Sequence, residues 1–188
     1  MKIRVAPGFL LLFFTLLWTN GMFFAALLLA AAIHECGHLL AARLLGIRLR
    51  LLELDIGGAK LYPARALPSY RAEAILAAAG PVFSLLPALF CLSSPFGKAF
   101  AGATLSLAVF NLLPIGGFDG GRILFALLAP LTDADRARRA LAVTTYLSLL
   151  LLFALSACLL LRYGENMALA VLSASLFARQ FLPHGGED

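Results

Sequence analysis

The sequence predicts an all-α polytopic membrane protein with about six transmembrane helices and a small β-hairpin between the second and third helices. Of the 188 residues, 62% are hydrophobic and only 13% are charged, whereas soluble domains run nearer to half apolar and a quarter charged. Several apolar stretches approach the roughly 20 residues that cross a bilayer. The basic residues cluster between particular apolar stretches, as they do in cytoplasmic loops.

Six apolar blocks define the helices. They cover residues 7–18, 22–45, 72–92, 98–113, 139–161 and 166–182. We expect the first block, which residues 3–6 could extend, to be a retained helix and not a cleaved signal peptide. The second block ends at Gly46, a residue type favoured just beyond helix C-termini, and the fourth ends before Pro114. The length predicts one domain over 1–188, with its core at about 22–122 and helices five and six at about 139–182.

A different pattern occupies residues 47–62, where apolar and charged residues alternate around Gly57 and Gly58. Period-two alternation with a Gly-Gly break predicts a β-hairpin. Open sheet edges do not face lipid, so we expect this hairpin at the interface or in a water-filled cavity. It is either a structural loop or an exposed edge that pairs with an extended peptide.

The distribution of charge predicts the orientation in the membrane. If the N-terminus is cytoplasmic and all six helices span, all but Lys98 and Arg162 of the 15 Lys and Arg residues lie on the cytoplasmic side. Both termini and the segments around residues 43–71 and 122–139 then face the cytoplasm. The net charge of +5 is explained by this topology, and we expect no nucleic-acid partner.

The second helix carries His34-Glu35-Cys36-Gly37-His38. Histidines four residues apart lie on one helical face, so both imidazoles can reach one Zn²⁺. Glu35 lies beside the first histidine, where it can take a proton from water at the metal without binding the metal itself. Polar residues inside an apolar span are costly and usually functional. The pattern predicts a metal site.

A catalytic zinc usually has three protein ligands and one open position, so a third ligand is needed. His184 lies in the C-terminal tail, where we expect it to be solvated. Asp119 is the better candidate, because it lies in a segment of four glycines and a proline that is tolerable at membrane depth only beside a cavity. The remaining acidic residues near helix ends fit caps or first-turn charges: Glu73, Asp133, Asp135 and Glu165.

These motifs together resemble the site-2 protease family of intramembrane zinc metalloproteases, peptidases of the M50 type. The resemblance rests on His34 to His38, on Asn111 and Pro114 followed by Asp119-Gly120, and on the intermediate Ala79-Gly80-Pro81. It covers most of the chain from the second helix to Arg122.

The resemblance implies a hydrolase that cleaves a peptide bond in or near the membrane-associated segment of a substrate protein. It implies one Zn²⁺ per chain and a bacterial inner-membrane location with the active site on the cytoplasmic side. Its partners would be a membrane-tethered protein substrate, the lipid bilayer and regulatory membrane proteins. The implied residues are His34, His38 and Asp119 as ligands, Glu35 as general base, Asn111 as a substrate or oxyanion group, and Gly57, Gly58, Gly80 and Pro81 as substrate-binding residues.

Two positions depart from the family pattern: Ser84 stands where Asn is frequent, and Gly-Gly-Phe precedes Asp119. Six helices with no PDZ or CBS module resemble the stage IV sporulation protein FB branch, whose substrate is a membrane-tethered pro-sigma factor. The main alternative is a membrane metal transporter or metal-binding protein without protease activity. Two others are a membrane zincin with Glu73 or Glu165 as third ligand, and an inactive relative that keeps the site.

Overall fold

The computed structural model describes residues 2–5, 21–55, 58–64, 68–163 and 176. The elements in chain order are β1 (Lys2–Val5), α1 (Gly21–Leu44), β2 (Leu49–Asp55), β3 (Gly58–Pro63), α2 (Tyr70–Ala88), α3 (Pro95–Asn111), α4 (Asp119–Leu128) and α5 (Ala134–Tyr163). The helix expected at 7–18, the helix expected at 166–182 apart from Leu176, and Gly57 lie outside the described residues. The other four expected helices are present as α1, α2, α3 and α5, and α5 begins five residues earlier than expected.

Helix α1 ends as the sequence predicts. Gly46 has φ +67°, a left-handed conformation that costs glycine nothing. Its N–H donates to the carbonyl of Arg43 at 3.1 Å, and the N–H of Ile47 donates to the carbonyl of Ala42 at 2.8 Å. These two bonds form a Schellman motif, which closes the last turn and redirects the chain into β2.

Serine caps set the starts of α2 and α3. The hydroxyl of Ser69 accepts from the Ala72 N–H at 3.1 Å, and the hydroxyl of Ser94 accepts from the Gly97 N–H at 3.0 Å. Both satisfy backbone donors that have no partner within the helix. Pro95 follows Ser94 at the first helical position, where its missing N–H costs no hydrogen bond.

Small side chains bring α1, α2 and α3 together. One core cluster joins these helices and contains Ala26, Ala30, Ala88, Phe100 and Ala103. A second joins α1 to α2 through Ala41, Ala42 and Leu76. Alanine lets helix backbones approach closely, which is how helices pack where lipid removes the hydrophobic driving force. Helix α4 packs on α2, and α5 packs on α4.

The β-structure is a three-stranded sheet in the order β1-β2-β3. β2 and β3 form the expected antiparallel hairpin, with Asp55 opposite Gly58. β1 pairs with β2 in parallel, with Lys2 opposite Leu51. The expectation that residues 3–6 could extend a helix is therefore wrong for β1, because its backbone pairs with a strand about 50 residues away. β3 remains an edge strand within the described sheet.

Helix α4 was not expected from the sequence. It follows the loop 112–118 directly and has Asp119 as its first residue. At ten residues it is too short to span a bilayer. It places the start of its first turn against α2.

Two helices, α1 and α5, are long and apolar enough to cross a membrane. Only 28% and 22% of their most apolar windows are buried within the described part of the chain, whereas the core helix of a soluble protein would be mostly buried. On α5, Leu147, Leu150 and Leu151 are 60–71% exposed. Such continuous apolar exposure supports contact with lipid.

Candidate metal centre

The imidazoles of His34 and His38 lie together on the buried face of α1, 2% and 4% exposed. Their Nε2 atoms are 3.2 Å apart. The Nδ1 of His38 lies 2.7 Å from the carbonyl oxygen of Leu76 on α2. A carbonyl can only accept, so Nδ1 carries the proton and the Nε2 of a neutral His38 presents a lone pair to the cluster. This is the arrangement of a metal-binding histidine oriented by a backbone carbonyl.

Asp119 completes the cluster from the first residue of α4. Its Oδ2 lies 3.2 Å from Nε2 of His34 and 3.3 Å from Nε2 of His38. The carboxylate is buried, and the N-terminus of a helix favours a negative charge there. The structure therefore brings together three residues that are up to 85 positions apart in the sequence.

The three atoms form a nearly equilateral triangle with sides of 3.2, 3.2 and 3.3 Å. Zinc binds imidazole nitrogen and carboxylate oxygen at about 2.0–2.1 Å in a tetrahedron, whose edges are then about 3.3–3.4 Å. The triangle matches one face of such a tetrahedron, whose fourth corner a catalytic zinc gives to water. Hydrogen bonds alone cannot join all three atom pairs at once, because each atom faces two others and each ring nitrogen carries at most one proton. The donor set therefore fits Zn²⁺.

Glu35 lies at the edge of this cluster. It is half-buried, and His34, Glu35 and His38 each offer a ligand atom within 4.8 Å of the others. A carboxylate oxygen of Glu35 therefore lies within 4.8 Å of a ring nitrogen of each histidine. The close position fits a general base.

Gly80 on α2 lies directly against both imidazoles. A Cβ at this position would lie 2.7 Å from Nε2 of His34 and 2.6 Å from Cε1 of His38. Gly37 makes a similar close approach in the other direction, because a Cβ there would lie 2.5 Å from the carbonyl oxygen of Ala79. The close α1–α2 contact at the cluster therefore requires glycine at positions 37 and 80.

Hydrogen bonds and apolar contacts hold the loop 112–118, which leads to Asp119, against α5. The Gly116 N–H donates to Oγ1 of Thr145 at 2.9 Å, and the hydroxyl of Thr144 donates to the carbonyl of Pro114 at 3.1 Å. Ile115 and Phe118 are buried against Leu149 of α5. Irregular backbone at membrane depth needs such partners for its polar groups. Nothing in the local sequence pattern identified the two threonines.

An arginine links the cluster to α2. The Nε of Arg122 donates to Oε1 of Glu73 at 2.7 Å, and its Nη1 lies 3.9 Å from Oδ1 of Asp119. From the sequence, Glu73 was interpreted as a first-turn charge of its helix. It lies in that first turn and also has this ion-pair partner. The three-residue spacing of Asp119 and Arg122 on a helix was the available signal.

The other candidate residues lie as follows. The side-chain amide of Asn111 donates to the carbonyl of Leu107 at 3.1 Å, so its role at the cluster stays a prediction. Pro81 lies beside Gly80 inside α2, and Gly58 begins β3; their substrate-binding roles also stay predictions. Asp133 caps the Arg136 N–H at 2.7 Å, as expected.

Comparisons with known proteins point to one class. Residues 92–155 match the sequence model of Peptidase family M50, a stretch that contains Asn111 and Asp119 and not the histidines of α1. The chain is similar to the solved structure of a site-2 protease from Methanocaldococcus jannaschii, with 22% identity over 95% of this chain and 89% of that chain and a TM-score of 0.73. No curated protein matches the chain. The fold is thus that of a site-2 protease, and the family match supports a membrane metalloprotease.

Proposed function

We propose that this protein is an intramembrane zinc metalloprotease that hydrolyses a peptide bond in or near the membrane-associated segment of another protein. The observation that carries the proposal is the triangle formed by His34, His38 and Asp119, whose sides of 3.2–3.3 Å match a zinc face with an open fourth corner. Glu35, whose carboxylate lies close to both histidines, supplies a proton acceptor that a metal transport site does not need.

The protein's own residues hold and orient the site. His34 and His38 provide two nitrogen ligands from α1, and Asp119 provides one oxygen from α4. Zinc, when bound, supplies a Lewis acid that polarises the scissile carbonyl and lowers the pKa of a water toward about 7. The carbonyl of Leu76 keeps His38 in the tautomer that binds through Nε2.

Proton transfer falls to Glu35. Its carboxylate accepts a proton from the attacking water and passes it to the leaving amine nitrogen, a role that contributes about 10²–10⁴-fold in rate. Asn111 donates one amide hydrogen to Leu107, which leaves the second N–H for the carbonyl oxygen of the substrate. Loss of such a donor costs about 10²–10³-fold.

The substrate class follows from the location. α1, which carries the histidines, is long and apolar enough to span a bilayer, so the bond to be cut must come to membrane depth in an extended form. The edge strand β3 could pair with that extended segment. The distribution of basic residues supports a multi-pass protein with a cytoplasmic site. A membrane-tethered pro-sigma factor is the finer proposal, and it rests on the resemblance to the stage IV sporulation branch.

The test compares the wild-type chain with Glu35→Gln in detergent micelles and in liposomes. The substrate probes are single-span reporter proteins with helix-breaking residues near the cytoplasmic end of the span. Zinc content and cleavage are measured on the same samples. Asp135→Asn is the matched control, because this carboxylate is exposed on α5.

The proposal expects Glu35→Gln to keep its zinc and lose cleavage, while Asp135→Asn keeps both. Cleavage that survives Glu35→Gln would refute the protease assignment. Zinc that binds and crosses the liposome membrane, with no reporter cleaved by the wild type, would favour the transporter alternative.

A further inference from the structure

The two oxygens of Asp119 face different surroundings. Oδ2 lies 3.2 and 3.3 Å from the imidazole nitrogens, whereas Oδ1 lies 3.9 Å from Nη1 of Arg122. A carboxylate that turned about its side-chain bond could offer both oxygens to a metal. In this structure a positive charge attracts one of them away from the cluster.

Arg122 is itself held in place. Its Nε donates to Oε1 of Glu73 on α2 at 2.7 Å, and the two side chains are 24% and 23% exposed. A charge-assisted hydrogen bond of this length fixes a flexible side chain. The backbone of Arg122 is also fixed in the first turn of α4, where its N–H donates to the carbonyl of Phe118 at 3.0 Å. The guanidinium therefore has a defined position beside Oδ1.

We propose that Arg122, held by Glu73, is a positioning residue that keeps Asp119 a one-oxygen metal ligand and so keeps the fourth coordination position open for water. The inference rests on the proposed function. Groups around metal ligands typically change metal affinity or activity about 10–100-fold when they are removed. A ligand that bound through both oxygens would crowd the position that a hydrolytic zinc needs free.

The competing explanation is that the Arg122–Glu73 pair only ties α4 to α2. Exchange of the two residues separates the explanations. Glu73→Arg combined with Arg122→Glu keeps an ion pair between the helices, but it places a carboxylate beside Oδ1 of Asp119. A purely structural tie would be restored by the exchange, whereas the positioning effect would not.

The experiment uses the full chain in detergent, first freed of metal and then loaded with Zn²⁺ or Co²⁺. Zinc affinity is measured by competition with a chelator, and the visible absorption of Co²⁺ reports the coordination number, because four-coordinate Co²⁺ absorbs more strongly than five-coordinate Co²⁺. The variants are Arg122→Gln, Glu73→Gln and the exchanged pair. Arg138→Gln is the matched control, because Arg138 makes an ion pair of the same 2.7 Å length on the exposed surface of α5.

We expect Arg122→Gln to change zinc affinity on the order of 10–100-fold and to weaken the Co²⁺ absorption. Glu73→Gln should change both in the same direction by less, and it serves as the test if Arg122→Gln does not fold. The exchanged pair should stay impaired, and Arg138→Gln should match the wild type.

Wild-type affinity and absorption in both single variants would overturn the inference, as would full recovery in the exchanged pair. A wild-type chain that binds no stoichiometric metal would instead refute the proposed function, so the two failures are distinguishable.

Discussion

Gly80→Ala tests whether the imidazoles need the bare backbone of α2. The added Cβ would lie 2.7 Å from Nε2 of His34 and 2.6 Å from Cε1 of His38, whereas non-bonded atoms prefer about 3.5–4.0 Å. The rings or α2 must therefore move by about 1 Å. His38 cannot turn freely, because its Nδ1 is bonded to the carbonyl of Leu76 at 2.7 Å.

A displacement of about 1 Å is large for a metal site, whose ligands must be held to within about 0.5 Å. We expect Gly80→Ala to weaken zinc binding at least about 10-fold and to lower proteolysis about 100-fold. Helix propensity alone predicts that Gly80→Ala stabilises α2, because alanine is about 1 kcal/mol more favourable than glycine inside a helix.

Chelator competition measures the zinc affinity, and reporter cleavage measures the activity. Gly102→Ala on α3 is the matched control, because a Cβ there meets nothing within 4 Å. It should keep wild-type zinc affinity and gain some thermal stability. If Gly80→Ala binds zinc as tightly as Gly102→Ala, the close approach is not essential and the reasoning is refuted.

Three further outcomes follow from the contacts described. Thr145→Val leaves the Gly116 N–H without its acceptor and should lower the free energy of unfolding by about 1–3 kcal/mol. Thr132→Val, at an exposed position, should change the free energy of unfolding by less than about 0.5 kcal/mol. Thermal unfolding of both variants and amide exchange at Gly116 check these outcomes. Leu149→Ala removes a side chain that is 1% exposed and should cost about 2–5 kcal/mol, while Leu150→Ala, 60% exposed, should cost little; denaturant titration compares them. Removal of zinc by a chelator should lower the melting temperature, since a ligand at 100 times its Kd contributes about 2.7 kcal/mol; an unchanged melting temperature would contradict a zinc bound to the folded state.

The local parts of the fold could be predicted from the sequence. Helix α1 and its end at Gly46 follow from an apolar run and a glycine, which are properties of neighbouring residues. The strand β1 could not be predicted in this way, because it exists through its pairing with β2. Helix α4 was also missed, since two glycines and a short length resemble a loop until packing on α2 is known.

The candidate site also contains residues that local sequence identifies and residues that only tertiary contacts identify. His34 and His38 were identified by spacing on one helix. Asp119 was singled out by its glycine-rich segment and then by the resemblance to a family, because no helical spacing connects residues 85 positions apart. The carbonyl of Leu76 and the hydroxyl of Thr145 carry no sequence signal, since any helix offers a carbonyl and many offer a threonine. Their contributions depend on which helices touch, and only the folded chain shows that.

The most direct test of the central claim is X-ray absorption at the zinc edge of the full chain loaded with one equivalent of Zn²⁺. Our account predicts a shell of nitrogen and oxygen only, at about 2.0–2.1 Å, with the scattering signature of two imidazoles. A sulfur neighbour near 2.3 Å, which would place the metal on a cysteine, or fewer than two imidazoles would contradict it.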